Sequence, residues 1–511
     1  MSNVPHNVFT RDCLRSDTTL DCDVVIVGSG AGGATAAAEL AEAGYDVIVI
    51  EEGSYFSTAD FNANATDMVR KMYRGGGATM ALGSPAVLYQ EGSVVGGSTV
   101  INGGMSWRTP EQILDRWGRE ASIDHITPAD MEPYFERVER RINVRYQDPD
   151  SIGRDNAMLK EGADKKGWKI IPNLRNQLHC TGSNNCAFGC PTGAKQSALV
   201  SYLPRALHFG ARIYSDVRVA KIIKNGNRAV GVKGHVTLAN GARGPAIEVR
   251  AKLVISSCGS VHTPALLHRS GIRPSSGLLG QNLSLHPNAK LVAIFDEPIR
   301  GWEGVHQAYQ IREFHDQGFL FAGVNVPPSI IAMNTPQYGQ DLGELMSQYD
   351  HMIIAGLMVE DTTVGHLKML PGGHPQAFYQ LGDLDAERII RGTALLAELL
   401  FEMGATRILP PFAGVADLHS VDDVRNLYRQ KIPKSAMEVL TVHLMGSACM
   451  GADASRSVTD MYGMVHDTQG LMVADASLFP TPVGVNPMET IQALTTRNIH
   501  HVLQSPRSYQ L

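Results

Sequence analysis

The sequence predicts an α/β fold, α+β overall, for a chain of 511 residues. Two observations predict it. Near the N-terminus, a strand-like apolar run, a glycine-rich turn, an alanine-rich helix and a second strand follow one another. Between residues 286 and 439, several strand-like runs and a long amphipathic segment are typical of an antiparallel sheet flanked by helices. With 43% hydrophobic and 19% charged residues, the chain can bury the cores of roughly two to four domains.

Composition argues against several function classes. Lys and Arg total 45 against 51 Asp and Glu, and no basic block is present, so nucleic acid is not expected as a partner. The longest apolar runs, such as residues 352–359, are shorter than the ~18 residues of a membrane helix, so no membrane span is predicted. The N-terminus has no apolar signal core, and seven cysteines do not suit an extracellular disulfide framework. We therefore expect a cytoplasmic protein.

The N-terminal unit has the pattern of a Rossmann-like fold. Residues 23–27 form an apolar, β-branched run that is typical of a buried parallel strand, and residues 47–50 form a second. Between them, residues 34–43 are rich in alanine and are followed by a glycine, as expected of a helix. The order of strand, glycine turn, helix and strand predicts a dinucleotide-binding βαβ unit.

Four residues of this unit suit dinucleotide binding. Gly28 permits the tight turn, Gly30 lets the backbone approach a pyrophosphate, and Gly33 lets the helix pack close to the strand. The N-terminus of the helix offers free N–H groups to the phosphates. Glu51 would accept hydrogen bonds from the ribose hydroxyls. This pattern does not choose between NAD and FAD.

Further motifs distinguish between these two cofactors. They lie at residues 92–110, 259–272, 443–446, 471–477 and 485–487. In these motifs and their order, the sequence resembles the glucose–methanol–choline (GMC) family of FAD-dependent oxidoreductases. It is most similar to the long-chain alcohol and FAD-dependent glucose dehydrogenase-like members that have a cysteine-rich loop. The resemblance therefore implies FAD as the cofactor.

The resemblance also implies two domains that are interleaved along the chain. An FAD-binding domain would consist of residues 1–108, 196–285 and 440–511. A substrate-binding domain would consist of residues 109–195 and 286–439, with a cysteine-rich loop at 179–195.

Local patterns within these segments predict strands and a helix. Residues 211–223 alternate like a pair of half-buried strands. Residues 383–403 have the spacing of a long amphipathic helix. Four apolar runs suit the strands of the antiparallel sheet: 291–295, 319–326, 352–359 and 377–381.

The resemblance places two catalytic residues near the C-terminus. Oxidation of an alcohol requires a base for the hydroxyl proton, and His443 stands at the family's position for this histidine. Asn486 stands at the second catalytic position, where its amide would hold the substrate oxygen. Asn486 precedes Pro487 and is equally suited to cap a helix, and the two roles are compatible.

The resemblance further implies which residues hold the isoalloxazine ring of FAD. Asn102 and Gly103 would line its face, next to the glycine-rich loop that contains Gly97. The helix that begins at Pro487 would point its positive N-terminus at the pyrimidine ring. In relatives with covalent flavin a histidine lies near Asn102, whereas here its neighbours are Ile101 and Gly103. We therefore expect FAD to be bound noncovalently.

The resemblance also implies two residues that would contact the rest of FAD. Val217 would contact the adenine, and Asp475 would lie at the phosphate and ribityl groups.

The cysteine-rich loop has two interpretations. Cys180, Cys186 and Cys190 lie within eleven residues and could hold an iron–sulfur cluster. Their spacing is similar to that of the FAD-dependent glucose dehydrogenase catalytic subunits, and this resemblance implies a 3Fe-4S cluster that passes electrons to an accepting partner protein. Alternatively, they are structural thiols or form a disulfide, as small buried cysteines often do. Both loop types occur in the family that the sequence resembles.

The predicted reaction is the FAD-dependent oxidation of a small-molecule alcohol to an aldehyde or ketone. Methionines at positions 333, 346, 352, 358 and 369 and a shortage of charged anchors suit a bulky or apolar alcohol, although methionines are also common in ordinary cores. The alternative is a lyase or a photodecarboxylase of the same fold, which uses FAD without oxidising alcohols in the dark. The sequence does not indicate the particular alcohol, the electron acceptor or the oligomeric state.

Overall fold

The computed structural model of the chain describes residues 4–333, 335 and 337–511. Helices and strands are both abundant in this part of the chain. The α-helices are α1 (Ala31–Glu42), α2 (Ala65–Met72), α3 (Ser98–Ile101), α4 (Glu111–Glu120), α5 (Pro128–Ile142), α6 (Arg154–Lys166), α7 (Tyr202–His208), α8 (Gly259–Arg269), α9 (Pro328–Met333), α10 (Gly339–Ser347), α11 (Asp383–Glu402), α12 (Val421–Leu427) and α13 (Met488–Gln504). No helix among the described residues is both long and apolar enough to cross a membrane.

The strands fall into several sheets. In chain order they are β1 (Val8–Phe9), β2 (Thr18–Val27), β3 (Val47–Ile50), β4 (Thr79–Ala81), β5 (Val87–Tyr89), β6 (Val144–Tyr146), β7 (Ile170–Pro172), β8 (Leu174–Asn176), β9 (Arg212–Tyr214), β10 (Val217–Asn225), β11 (Arg228–Thr237), β12 (Arg243–Ser256), β13 (Gln281–Leu285), β14 (Asn288–Phe295), β15 (Tyr309–Ile311), β16 (Phe319–Gly323), β17 (Met352–Val359), β18 (Gly365–Leu370), β19 (His374–Phe378), β20 (Ala405–Leu409), β21 (Leu440–Thr441), β22 (Leu444–Met445) and β23 (Leu471–Val473).

The first sheet contains the N-terminal βαβ unit. Its strand order is β1-β9-β3-β2-β12-β11-β10, and β23 pairs with β12. Strands β9, β3, β2, β12 and β23 are parallel, whereas β10, β11 and β12 form antiparallel pairs. Strand β2 includes the predicted strand at 23–27, and β3 coincides with the one at 47–50. The α/β fold class with its Rossmann-like core is confirmed.

One local prediction in this sheet is wrong. Residues 211–223 do contain two strands, β9 and β10, but the strands do not pair with each other. Strand β9 pairs with β1 and β3, and β10 pairs with β11 at the opposite edge. The alternating pattern shows which face of a strand is buried, but it carries no information about the neighbouring strand.

The second large sheet is mainly antiparallel. Its order is β4-β5-β21-β14-β17-β16-β15-β7, and β20 also pairs with β14. The only parallel pair along this order is β21 with β5. A smaller antiparallel sheet has the order β19-β18-β13-β22. Its strand β19 runs from His374 to Phe378 and overlaps the predicted strand at 377–381 at residues 377 and 378 alone.

Strands of this second sheet come from both of the predicted domains. Strands β4, β5 and β21 lie in segments that we assigned to FAD binding, yet they pair with the sheet formed by residues 286–439. The exact division of the chain into two domains stays a prediction.

The faces of the second sheet differ. Alternate residues of β14, such as Ala289 and Leu291, are buried in a hydrophobic cluster with residues of α11. The residues between them, Asn288 and Lys290, face a large cavity on the other side. This alternation is the period of two expected for a strand, and it makes the sheet one wall of the cavity.

The first sheet is covered by helices that pack on one another. Helix α1 packs against α7 and α13, and α13 also packs against α5. A hydrophobic cluster of these helices and the parallel strands forms the larger core. The N-terminus of α13 emerges from this core at the cavity.

Candidate active site

A cavity of about 550 Å³ extends from the glycine turn after β2 to the inner face of the second sheet. Nearly all of the residues predicted to bind the cofactor or substrate line it. They are Gly28, Gly30, Glu51, Gly97, Asn102, Gly103, Val217, His443, Asp475, Asn486 and Pro487. Gly33 does not line the cavity.

The glycine turn leaves room for a phosphate group. A Cβ atom on Gly30 would have its nearest neighbour, the Cα of Gly97, at 4.0 Å, so the space above Gly30 is open. Gly30 is also the N-cap residue of α1 and has no side chain to cap the helix, so the first N–H groups of α1 face the cavity. This arrangement fits the pyrophosphate of a dinucleotide.

Gly28 and Gly33 serve the packing around this turn. Gly28 has a φ of +100°, and a Cβ there would lie 2.2 Å from the carbonyl oxygen of Ser257. A Cβ on Gly33 would lie 1.9 Å from the oxygen of Gly28. Only glycine allows these close approaches, so Gly33 acts on the cofactor site through helix packing.

Glu51 is buried at the end of β3. One of its carboxylate oxygens accepts hydrogen bonds from the N–H and hydroxyl of Ser29, at 2.9 and 2.7 Å, and the other accepts from Gly53 N–H at 2.9 Å. Burial raises the pKa of Glu51. Because a carboxylate has about four acceptor positions, Glu51 can still accept from a ligand, and its role with the ribose stays a prediction.

Asp475 joins the last strand of the first sheet to α8. Its carboxylate accepts hydrogen bonds from the N–H groups of Gly259 and Ser477, at 2.9 and 2.8 Å, and from the Thr263 hydroxyl at 2.5 Å. Burial raises its pKa. Asp475 therefore fixes the loop at the cavity in addition to any contact with the cofactor.

The loop at Asn102 fits a polar ligand group. The side-chain amide nitrogen of Asn102 contacts Met488 Sδ at 3.1 Å, while its buried oxygen accepts no hydrogen bond from the described residues. A cofactor N–H would satisfy this oxygen. The loop itself is held by Lys195, whose ammonium donates to the carbonyls of Val100 and Asn102 at 2.7 and 2.8 Å.

His443 and Asn486 lie side by side at the same cavity. The Nε2 atom of His443 is 3.3 Å from the Nδ2 atom of Asn486. Helix α13 begins at Met488, and its N-cap position is Pro487, so the Asn486 side chain contacts His443 and does not cap the helix. Their proximity is a finding of the structure, and their catalytic roles stay predictions.

A second histidine, His286, contacts the ring nitrogen of His443 that does not face Asn486. The two Nδ1 atoms are 3.1 Å apart, and Nε2 of His286 accepts a hydrogen bond from the backbone N–H of Gly484 at 3.1 Å. Burial lowers the pKa of His443 to about 4, and burial together with His443 lowers that of His286 well below its usual value. Both rings are therefore neutral near pH 7.

These contacts decide where the ring protons lie. A neutral imidazole has one donor and one acceptor nitrogen, so His286 carries its proton on Nδ1 and donates to Nδ1 of His443. His443 then carries its proton on Nε2, which faces the amide of Asn486 at the cavity. The other tautomer of the pair would bring an N–H of His286 against that of Gly484, at a cost of about 1–3 kcal/mol.

The cysteine-rich loop lies behind the Asn102 loop. Cys186 Sγ accepts a hydrogen bond from Arg175 at 3.3 Å, and Cys190 Sγ accepts one from the backbone N–H of Lys195 at 3.3 Å. The cysteines are free thiols, and Cys180 is partly exposed. No group of three His, Cys, Asp or Glu side chains in the described part of the chain could hold a metal ion. The structure thus offers no support for the predicted 3Fe-4S cluster.

The methionines give little support to the predicted apolar pocket. Met358 lines the cavity, but Met352 is buried in a separate cluster against which Met346 packs, and Met369 packs against the core of the second sheet. The side chain of Met333 lies outside the described residues.

Several residues of the site were missed. His286 is one of 18 histidines and has no distinguishing pattern around it in the sequence. Lys195 and Lys290 were missed because their burial depends on packing that a local pattern does not show. The position of Lys290 on the inward face of β14 could have been found from the alternation of residues 288–295.

The fold and the cavity define an oxidoreductase that binds FAD. A family model described as GMC oxidoreductase matches residues 69–288, a second with the same description matches residues 368–495, and an FAD binding domain model matches residues 23–72. An uncharacterized GMC-type oxidoreductase of Sinorhizobium fredii is 33% identical over 485 residues, which cover 95% of each chain. The chain belongs to the GMC oxidoreductase family.

More distant relatives have named activities. A long-chain-alcohol oxidase of Arabidopsis thaliana is 28% identical over 92% of this chain and 66% of its own. A solved structure of formate oxidase from Aspergillus oryzae has a TM-score of 0.75 at 16% identity and covers 96% of this chain and all of its own. At that identity the second match shows a shared fold only.

The open space above Gly30 predicts that a side chain at this position will reduce FAD binding. Gly30→Val places side-chain atoms in the open space above α1, and since no protein atom lies within 4.0 Å of the new Cβ, the protein should still fold. We expect the purified variant to contain at least ~10-fold less FAD than the wild type, because the pyrophosphate loses its approach to the backbone. Flavin absorbance per chain measures this. Gly343→Val, at a glycine with open space around it, is the control, and equal flavin content in both variants would contradict the assignment.

Proposed function

We propose that this chain oxidises a primary or secondary alcohol to an aldehyde or ketone, with noncovalently bound FAD, and that the alcohol has a bulky or apolar body. The observation that carries the proposal is the contact between His443 and Asn486 at 3.3 Å in the wall of the cavity that the glycine turn also lines. The named activity of the long-chain-alcohol oxidase relative supports it.

The two side chains suit the oxygen of an alcohol. In the neutral pair, Nε2–H of His443 and the amide of Asn486 can both bind this oxygen and so orient the neighbouring C–H bond. Bound FAD supplies the hydride acceptor. His286 holds the ring of His443 in place through the Nδ1 contact.

Proton removal requires a change of tautomer. His443 can accept the hydroxyl proton at Nε2 only when its own proton is on Nδ1, which opposes the contact between Gly484 and His286. The cost of about 1–3 kcal/mol is smaller than the roughly 3–5 kcal/mol that general base catalysis contributes. A base role for His443 is therefore compatible with the observed contacts.

The walls of the site reduce its contact with water. His443 is only 9% exposed, and Val485 and Met488 beside Asn486 are buried. Removing water strengthens the hydrogen bonds to the substrate oxygen and favours neutral histidines.

Removal of His443 tests the proposal. We expect His443→Ala to stay folded and yellow and to reduce its flavin ~100-fold or more slowly than the wild type when mixed anaerobically with an oxidisable alcohol, because the base is lost. Stopped-flow loss of flavin absorbance measures the rate. His374→Ala removes an exposed histidine outside the cavity and should leave the rate unchanged.

Two results would count against this proposal. Unaltered reduction in His443→Ala would remove His443 from the mechanism. A wild-type flavin that no alcohol bleaches would point instead to lyase or light-driven chemistry on the same fold.

We further propose that Cys186 and Cys190 are structural thiols, because each sulfur already accepts a hydrogen bond from the protein. Purified protein should then show flavin bands alone and far less than one iron and one acid-labile sulfide per chain. Broad additional absorbance with about three irons per chain would instead establish the cluster, and with it the need for an electron-accepting partner.

A further inference from the structure

The inner face of the second sheet forms the wall of the cavity opposite the glycine turn. In one row across this sheet, Lys290 of β14 pairs with Gly356 of β17, Gly356 pairs with Ala322 of β16, and Ala322 pairs with Gln310 of β15. All four residues line the cavity. The small residues in the two central strands leave room for a ligand, while the longer polar side chains stand on the strands at either side.

Lys290 is unusual among the charged groups of this wall. Its ammonium has no hydrogen bond or ion pair with any described residue, although the side chain is mostly buried. Burial lowers its pKa to about 8, and no carboxylate offsets this effect. An ammonium that loses hydration without a partner among the described residues destabilises the folded protein, so a function for its charge is expected.

A second cation faces the same space. Arg312, which follows β15, lines the cavity and stacks over the ring of Trp107 with its guanidinium carbon 4.3 Å from the ring centroid. It forms no ion pair with the residues that the structure describes. Burial lowers its pKa. The wall therefore presents two cations without acidic partners.

The acidic residues that line the cavity all lie at its other end. They surround the glycine turn and the start of α8, and each has a partner in the protein. The pairs are Glu51 with Ser29, Glu52 with Arg74, Glu91 with His262 at 3.5 Å, and Asp475 with Gly259. The carboxylates of the cavity therefore lie at the dinucleotide end, together with Arg74, Arg218 and Arg269, whereas the sheet contributes Lys290 and Arg312 and no carboxylate to the lining. The phosphates of FAD belong at the dinucleotide end and do not explain Lys290.

Lys290 lies on the strand that leads to the catalytic pair. Asn288, two residues earlier and on the same face, pairs with Leu440 on the short strand before His443, and its amide donates to the carbonyl of His286 at 2.7 Å. Along a strand, two residues span roughly 7 Å. A molecule held between His443 and Asn486 can therefore extend across the open centre of the sheet toward the ammonium.

We propose that the alcohol oxidised by this protein also carries a carboxylate, which the ammonium of Lys290 binds while Arg312 keeps this wall of the cavity positive. The inference rests on the proposed function and narrows its substrate to hydroxy acids with an apolar body. Leu320, Val324 and Met358 provide apolar contacts along the same wall. The substrate carboxylate supplies the partner that Lys290 does not find among the described residues.

Binding of a carboxylate that cannot be oxidised tests the role of Lys290 without turnover. Octanoate is compared with octanamide, its uncharged analogue, by titrating the holoprotein and following the visible absorbance of the flavin. We expect the wild type to bind octanoate at least ~10-fold more tightly than octanamide, since one hydrogen bond to a charged group is worth about that factor. In Lys290→Met this preference should disappear, and Lys290→Arg should keep part of it. Lys169→Met, which removes an exposed lysine at the edge of the same sheet, should behave as the wild type.

Steady-state kinetics with two alcohols test the hydroxy-acid inference separately from the proposed function. The ratio of kcat/KM for ω-hydroxyoctanoate to that for octanol should be at least ~10 in the wild type and near one in Lys290→Met. Oxidation of both alcohols without this preference would overturn the hydroxy-acid inference and leave alcohol oxidation standing. Failure of every alcohol would overturn the proposed function, while the octanoate preference would still decide whether Lys290 binds a carboxylate.

One result would show that the charge of Lys290 acts on the flavin and not on the substrate. If Lys290→Met changed the flavin spectrum or potential but kept the preference for octanoate, Lys290 would act on the flavin and the inference would be wrong.

Discussion

Close contact between backbone segments, which only glycine permits, is the constraint on which this structure depends. A Cβ on Gly32 would lie 1.7 Å from the oxygen of Ala474, and one on Gly97 would lie 2.8 Å from the Cα of Gly30. These contacts bring the β2–α1 turn, the second glycine-rich loop and the end of β23 together, although they are far apart in the chain. The walls of the cofactor end of the cavity are therefore mostly backbone, as a long flat ligand requires.

The other end of the cavity is controlled by burial of ionisable groups. His286 and His443 are kept neutral by loss of hydration, and Gly484 sets the direction of the hydrogen bonds between them. A few residues away, Lys290 loses hydration in the same way but has no partner among the residues that the structure describes. Neutral groups at the proposed site of the substrate oxygen, and a positive charge at a distance from them, are suited to a substrate with two different polar ends.

Local sequence patterns predicted the elements that depend on near neighbours. The buried strand β3, the strand β17 and the long helix α11 lie where periodicity and flanking glycines placed them, within one residue. The resemblance to a family then supplied His443 and Asn486, which the structure brings to 3.3 Å although they are 43 positions apart in the chain. Their chemical roles remain proposals.

What the sequence did not reveal depends on contacts between distant segments. The strands β9 and β10 are adjacent in the chain but lie toward opposite edges of the sheet, because strand pairing is determined by the whole fold. The contact of His286 with His443 and the position of Lys290 away from every described carboxylate depend on the register of antiparallel strands, which local alternation does not specify. The cysteine spacing was equally ambiguous, since the same spacing suits a cluster and separate thiols.

The central claim is that one cofactor spans the cavity, with its reactive nitrogen at His443 and Asn486. A crystal structure of the purified, yellow protein tests it most directly. The account predicts that flavin N5 lies on the same side as the two side chains, with room for one substrate carbon that is roughly 3–3.5 Å from N5. Density that places the ring system away from His443 and Asn486, or no flavin in the cavity of protein that retains its colour, would contradict it.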